Sequence, residues 1–379
     1  ALLFEKAGPR ERIAFDPART RAAIVTCGGL CPGLNVVIRS LFLELHHHYG
    51  VTEVLGLRDG YRGLNPAVAL PPYRLDTDCV DPIHKEGGTI LGTSRGPQDV
   101  GVMVDYLESA QIDILFTIGG DGTQQGAHAI VEEVARRGQK IAVVGIPKTI
   151  DNDLLYCDFT FGYNSAIERA AEVLHLAHIE AKAGVNGVGL VKVMGRDSGF
   201  IACGATLVNQ EVNFCLIPEQ PFALDGFLAA LERRMDAREH ALIVVAEGAG
   251  QDLFPPGDPG RDASGNKLHK DIGPFLKDRI LAHFHTLGKP VDVKYIDPSY
   301  IIRSSAANAF DSLLCDQLAR RAVHAALSGR TDVLVCNRAY SFIHVPIPMA
   351  TTGRKKVDIH SELWNSVLAA TGQPAHFGE

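Results

Sequence analysis

Two short segments carry residues able to do chemistry. The first is Gly119-Gly120-Asp121-Gly122-Thr123; the second is Pro147-Lys148-Thr149-Ile150-Asp151-Asn152-Asp153. Each follows an apolar run that reads as a buried strand, residues 112–118 before the first and 141–146 before the second. Glycines let backbone N–H groups approach phosphate oxygens closely. Carboxylates beside them can hold Mg²⁺ or take a proton from a hydroxyl. Together these groups suffice to move a phosphoryl group from a polyphosphate to an alcohol. In that chemistry Asp121 is the expected metal carboxylate and Thr123 a donor to a phosphate oxygen. Asp151 is the better candidate for general base, because an alcohol needs help in losing its proton. Asp153 could share the site or cap a following helix.

Further donors follow the same rule of glycines after strands. Arg95 closes Gly92-Thr93-Ser94-Arg95-Gly96, and Arg196 lies within Met194-Gly195-Arg196-Asp197-Ser198-Gly199. A guanidinium fork suits phosphate oxygens. Lys294, Tyr300 and Arg303 lie close together in sequence and could bind a second phosphate. His46, His47 and His48 point in different directions on a helix and are expected to be structural or exposed, not a metal site.

These loops need strands and helices to aim them. Residues 21–27 read as a first strand, Gly28–Gly33 as a turn, and 34–48 as a helix with Val37, Leu41, Leu45 and His48 on one stripe. Further strands are expected at 54–57, 112–118, 141–146, 185–193 and 241–246, and helices at 100–110 and 124–137. Strands alternating with helices imply an α/β fold with a mostly parallel, doubly wound sheet, whose ligands bind outside the carboxyl ends of the strands. Residues 1–20 read as an irregular arm, and 251–275, rich in Pro, Gly and Asp, as a long surface loop.

The chain has 379 residues, which implies two domains. Its 46% hydrophobic and 21% charged residues are globular, not disordered. No apolar run reaches the roughly 18 residues that span a bilayer, so no membrane association is expected. The first residues, Ala1-Leu2-Leu3-Phe4-Glu5-Lys6, meet acid and base too early for a signal peptide. The net charge of −7 argues against nucleic acid as a partner. The 8 cysteines are scattered without zinc spacing, and most read as buried thiols of a reducing, cytoplasmic compartment.

The ordered set Cys27-Gly28-Gly29-Leu30-Cys31-Pro32-Gly33-Leu34-Asn35, Gly92–Gly96, Gly119–Thr123, Pro147–Asp153 and Met194–Gly199 resembles 6-phosphofructokinases, most closely the plant and trypanosomatid type. The resemblance runs nearly the full length and implies two doubly wound α/β domains with the active site in the cleft between them. The implied nucleotide domain covers 1–162 plus about 304–345; the implied sugar-phosphate domain covers 163–303 plus the C-terminal segment to 379. It implies ATP as co-substrate, its phosphates held by Gly29, Arg95, Gly96, Gly120, Asp121, Gly122 and Thr123, with Mg²⁺ at Asp121 and Asp153. Thr149, Ile150 and Asp151 would face fructose 6-phosphate, with Asp151 acting on the 1-hydroxyl. Met194, Gly195 and Arg196 would bind the sugar phosphate and reaction centre, Glu247 its hydroxyls, and Lys294, Tyr300 and Arg303 the 6-phosphate. Thr149 and Arg196 join Asp151 as implied catalytic residues. Some phosphate contacts in that family cross a subunit boundary, so a homo-oligomer, a tetramer or dimer, is implied.

The chain also departs from short bacterial members. They carry Gly-Gly-Asp-Ala where Gly29-Leu30-Cys31 stands, His at Tyr300, Arg at Lys294 and Arg at Gly187. Bacterial effector control therefore does not carry over. Pyrophosphate-using relatives place an Asp at Gly122 and a Lys at Lys148. Gly122 leaves room for an α-phosphate, whereas Lys148 points the other way; a missing side chain is the harder constraint, so ATP is the expected donor. The alternatives are the pyrophosphate-dependent enzyme and a non-catalytic regulatory subunit, the latter opposed by Asp121 and Asp151. A lipid or NAD kinase shares the Gly-Gly-Asp-Gly turn but gives no account of Pro147–Asp153.

Overall fold

Short β-branched runs ending on glycine or proline set the architecture. In the computed structural model, which describes residues 3–257, 260 and 268–378, the strands follow the chain. They are β1 (Glu5–Lys6), β2 (Arg21–Thr26), β3 (Glu53–Leu57), β4 (Tyr73–Arg74), β5 (Ile114–Gly119), β6 (Ala142–Pro147), β7 (Gly187–Val193), β8 (Phe214–Leu216), β9 (His240–Ala246), β10 (Asp292–Ile296), β11 (Val333–Arg338) and β12 (Ser341–Pro346). Among the described residues the chain divides into two compact α/β units. One comprises residues 3–165 and 303–354, the other 166–257, 260, 268–302 and 355–378.

The first unit is built on a sheet of order β1-β12-β11-β6-β5-β2-β3-β4. Its centre is parallel: β2 pairs with β3 and β5, β5 with β6, and β6 with β11. β5 and β6 are buried along their whole length, as a sheet covered on both faces requires. Alternate side chains enter two cores. Ile24, Phe116 and Val144 meet Val37, Leu41, Leu318 and Ala322 on one face. Val25, Leu115 and Val143 meet Val104, Ile130 and Leu334 on the other. Because Thr26 stands opposite Ile118 and Ile118 opposite Ile146, the loops after β2, β5 and β6 leave the sheet at one edge.

The second unit holds a wholly parallel sheet of order β10-β7-β9-β8. Val188, Leu190, Ile243 and Val245 pack against Phe227 and Leu276. Gly187 stands opposite His240 and Val193 opposite Ala246, so the loops after β7 and β9 emerge side by side.

Several local expectations are corrected. The N-terminal arm is not wholly irregular: Glu5 and Lys6 pair antiparallel with His344 and Ile343 of β12. Sheet edges are antiparallel, at β11–β12 and β3–β4 as well. The first helix is α-helical only over Leu34–Leu43 and then widens into a π turn at Glu44–His48. That extra residue per turn rotates His48 off the stripe; Val37, Leu41 and Leu45 are buried while His48 is exposed. The Pro-rich stretch is not all loop, since Gln251–Leu253 forms a helical turn and a helix starts at Ile272. Its residues 258, 259 and 261–267 lie outside those described. Cys157 and Cys336 form a disulfide and so are not thiols, whereas Cys27, Cys31, Cys203, Cys215 and Cys315 are buried and free.

Candidate active site

In the first unit, the loops after β2, β5 and β6 converge. Gly28 has φ +86°, a left-handed backbone that favours glycine. Its N–H donates to the Ser94 carbonyl (3.1 Å) and its carbonyl accepts from Thr93 Oγ1 (2.6 Å), binding the first glycine turn to the Gly92–Gly96 segment. A Cβ placed on Gly29 would lie 3.4 Å from Arg95 Nη2 and 4.0 Å from Arg303 Nη1. The Arg95 guanidinium therefore lies beside a bare stretch of backbone, an arrangement suited to polyphosphate, and Arg303 approaches the same stretch.

After β5 the helix Asp121–Arg136 begins sooner than the sequence suggests. Gly120 is its extended N-cap, so Asp121, Gly122 and Thr123 form the first turn, where N–H groups and the helix dipole favour an anion. Thr123 is buried, and its carbonyl accepts from the Tyr61 hydroxyl (2.6 Å). A Cβ at Gly122 would meet no heavy atom within 4 Å. Asp121 Oδ2 accepts from Gln125 Nε2 (3.1 Å), while Oδ1 is buried with no hydrogen-bond partner among the described residues. Burial raises the Asp121 pKa; Asp153 adds to the rise, and Arg354 opposes it.

The loop after β6 is held by its own polar groups. Thr149 Oγ1 donates to Asp153 Oδ1 (2.7 Å) and accepts from the Asp151 N–H (3.3 Å). Asn152 adopts φ +55° and clamps the turn, donating to the Asp158 carbonyl and accepting from the Thr160 N–H. Asp153 is not a helix cap; the next helix begins only at Tyr163, and Asp153 Oδ2 instead faces Arg354 Nη1 at 3.4 Å. Arg354 reaches this place because it forms an antiparallel bridge with Leu154. Lys148 is buried, its pKa lowered first by desolvation, and it donates to the Gly29 carbonyl at 2.7 Å. Burial also pushes the Cys27 thiol up to about 12, so it is a neutral neighbour and not a thiolate. Asp121 and Asp153 are the carboxylates able to share a divalent cation. No group of three or more His, Cys, Asp or Glu surrounds one point among the described residues.

In the second unit, β7 ends in Met194-Gly195-Arg196 and β9 in Glu247-Gly248. Gly195 has φ +128°, and a Cβ there would lie 2.4 Å from the Ser198 carbonyl. The N–H of Glu247 donates to the Val193 carbonyl and that of Gly248 to the Gly195 carbonyl, both at 3.0 Å. These bonds lock the two strand ends together and place Glu247 beside Arg196.

Lys294 lies on a different element from Tyr300 and Arg303. It stands mid-strand in β10 opposite Gly189, and its ammonium pairs with Asp292 at 3.0 Å. Tyr300 is exposed on the helix Ser299–Ser304, which also carries Arg303. Arg354 and Lys192 were not singled out from sequence. Arg354 sits in Gly353-Arg354-Lys355-Lys356, which reads as a solvated basic run, and nothing there betrays its partner. For Lys192 there was a signal: a single charge inside an otherwise apolar strand.

Against known proteins, the phosphofructokinase family model matches residues 21–326. An ATP-dependent 6-phosphofructokinase of Borreliella burgdorferi is 50% identical, over 98% of this chain and 86% of the relative. One of Trypanosoma cruzi is 48% identical, over 98% of this chain and 77% of the relative. A pyrophosphate-dependent phosphofructokinase structure from Marinobacter aquaeolei superposes with a TM-score of 0.77 at 21% identity, over 93% of this chain and 91% of that one, a likeness of fold. With the family model matching residues 21–326 and about half of its residues identical to those of the curated relatives, this chain belongs to the phosphofructokinase family.

Proposed function

We propose that this chain transfers the terminal phosphoryl group of ATP to the 1-hydroxyl of fructose 6-phosphate. One observation carries the choice of donor: the space around Gly122 is open, while Lys148 is engaged with the Gly29 carbonyl. A pyrophosphate enzyme's lysine is present, but the acid that would fill the α-phosphate space is not. Gly29, Arg95, Gly96 and the turn Gly120–Thr123 cradle the nucleotide phosphates through N–H groups and guanidinium charge.

The buried oxygen of Asp121, with Asp153 near, fits a hard cation that keeps most of its shell in water and phosphate oxygens. Mg²⁺ bound there would neutralise charge on the transferring phosphate. Asp151 takes the proton of the 1-hydroxyl, and Thr149 and Ile150 align the sugar. Met194, Gly195 and Arg196 hold the sugar phosphate and reaction centre, Glu247 accepts from sugar hydroxyls, and Tyr300 and Arg303 grip the 6-phosphate. Lys294, half-exposed and mid-strand in β10, fits a phosphate contact in a neighbouring copy, since the family resemblance implies a homo-oligomer, a tetramer or dimer, with some phosphate contacts crossing the subunit boundary.

The test is a donor exchange: initial rates with ATP and with pyrophosphate at fixed fructose 6-phosphate. A rate with ATP far above that with pyrophosphate is expected. A preference for pyrophosphate overturns the donor assignment and makes Lys148 the better guide.

A further inference from the structure

Lys192 is a charge in a strand that is otherwise buried. β7 is covered on both faces, and only Lys192 along it is not classed with the core. Its side chain is 12% exposed, yet it satisfies two carboxylates, Asp271 Oδ1 at 2.9 Å and Asp297 Oδ2 at 3.0 Å. Burial works against the ammonium, but the hydrogen bonds it donates to both acids outweigh it and hold its pKa above the ordinary lysine value. Each acid also anchors a helix start. Asp271 accepts from the Gly273 N–H (3.2 Å) at the beginning of Ile272–Thr286. Asp297 accepts from the Ser299 N–H (3.1 Å) and hydroxyl (2.5 Å) at the beginning of Ser299–Ser304. Two residues beyond Lys192 the chain enters Met194-Gly195-Arg196.

A helix of 6 residues is too short to be stable by itself, so its position depends on its anchors. Through Asp297 the Lys192 ammonium ties the start of this helix, which bears Tyr300, to the strand that delivers Met194–Arg196. We propose that Lys192 is a positioning residue for fructose 6-phosphate, holding Tyr300 in register with the turn at the end of β7. It rests on the site reading given above. Binding groups displaced by about 1 Å lose much of their effect on a bound substrate, so the loss appears in the sugar phosphate's KM. Both carboxylates that Lys192 pairs with, Asp271 and Asp297, lie in the second unit.

The experiment compares Lys192→Met, Lys192→Arg and Asp297→Asn with the unaltered enzyme. Lys192→Met should raise KM for fructose 6-phosphate about tenfold, the size of one charged hydrogen bond lost, with KM for ATP within about twofold. Lys192→Arg should restore most of the loss. Asp297→Asn keeps the Ser299 contacts and should reproduce the effect; combined with Lys192→Met it should add little, as for residues acting through one interaction. An unchanged KM for fructose 6-phosphate, or equal rises for both substrates, overturns the proposal. If Lys192→Met does not fold, Lys192→Arg and Asp297→Asn carry the same comparison. Tyr300→Phe separates the two levels. If it leaves KM for fructose 6-phosphate unchanged, the reading of the site is at fault. If it raises KM while Lys192→Met and Asp297→Asn do not, the positioning role alone fails.

Discussion

Replacing Gly122 by Asp should separate stability from donor use. Gly122 lies in the first turn of the helix Asp121–Arg136, its Cβ position is open, and its backbone is not left-handed. The folded state therefore accepts a side chain. Glycine is a poor helix residue, and an acid in the first turn meets the positive end of the helix dipole for about 0.3–1 kcal/mol. Repulsion from neighbouring Asp121 offsets part of this, so the melting temperature should stay level or rise slightly. Catalysis should respond in the opposite sense. A carboxylate about 4 Å from a phosphate oxygen, at an effective dielectric of about 20, is repelled by about 4 kcal/mol per pair of unit charges. Bound cation screens part of that, which leaves a fall of about 10²–10³ in kcat/KM for ATP. Pyrophosphate has no α-phosphate to collide with, so its kcat/KM should not fall in parallel. The assay is kcat/KM for both donors together with thermal unfolding of each protein. ATP activity kept within about tenfold in a folded mutant would refute the steric and electrostatic argument.

Other outcomes follow from the same geometry. Asp151→Ala should lower kcat by about 10²–10⁴, while calorimetry finds fructose 6-phosphate binding within a few-fold; near-normal turnover would remove the base assignment. Gly195→Ala forces a Cβ onto the Ser198 carbonyl and should cut kcat/KM for fructose 6-phosphate well over tenfold with ATP binding, read by calorimetry, preserved. Glu5 pairs with Arg330 and His344, which lower its pKa from 4.5 to about 2, the Arg330 hydrogen bond contributing most. A depressed carboxylate stabilises the fold above its unfolded pKa and ceases to do so as pH falls through the folded value. Because Glu5 is substantially exposed, the effect is discounted to about 1 kcal/mol. Urea unfolding should show Glu5→Gln less stable at pH 7, with the gap closing between pH 4.5 and about 2; a gap independent of pH would contradict the linkage.

Strands that end on glycine-rich loops were legible because a β-branched run and a turn signal sit within a few residues of each other, as at β5 with Gly119–Thr123. Pairings made at long range were not. Glu5 and Lys6 show no apolar alternation, and they become a strand only because β12, over 300 positions later, offers an edge. The π turn at Glu44–His48 hides behind an ordinary helical spacing, and its first residue, Glu44, is held by Arg320 from a distant helix. At the site, the placement of Asp121 after β5 and of Thr149 and Asp151 after β6 was readable because each follows its strand within a few residues. Arg354 was not, since only its bridge to Leu154 brings it to Asp153. Lys294 lies close in sequence to Tyr300, but a strand end and a turn intervene and leave it with Asp292.

The central claim is transfer of phosphoryl from ATP to one particular hydroxyl. Phosphorus NMR of the purified protein with Mg-ATP and fructose 6-phosphate tests it most directly. The prediction is loss of the ATP γ-phosphorus signal, with ADP and a new phosphomonoester at carbon 1 appearing in equal amounts. Turnover of pyrophosphate but not ATP, phosphate at another position, or inorganic phosphate as the main product would contradict it.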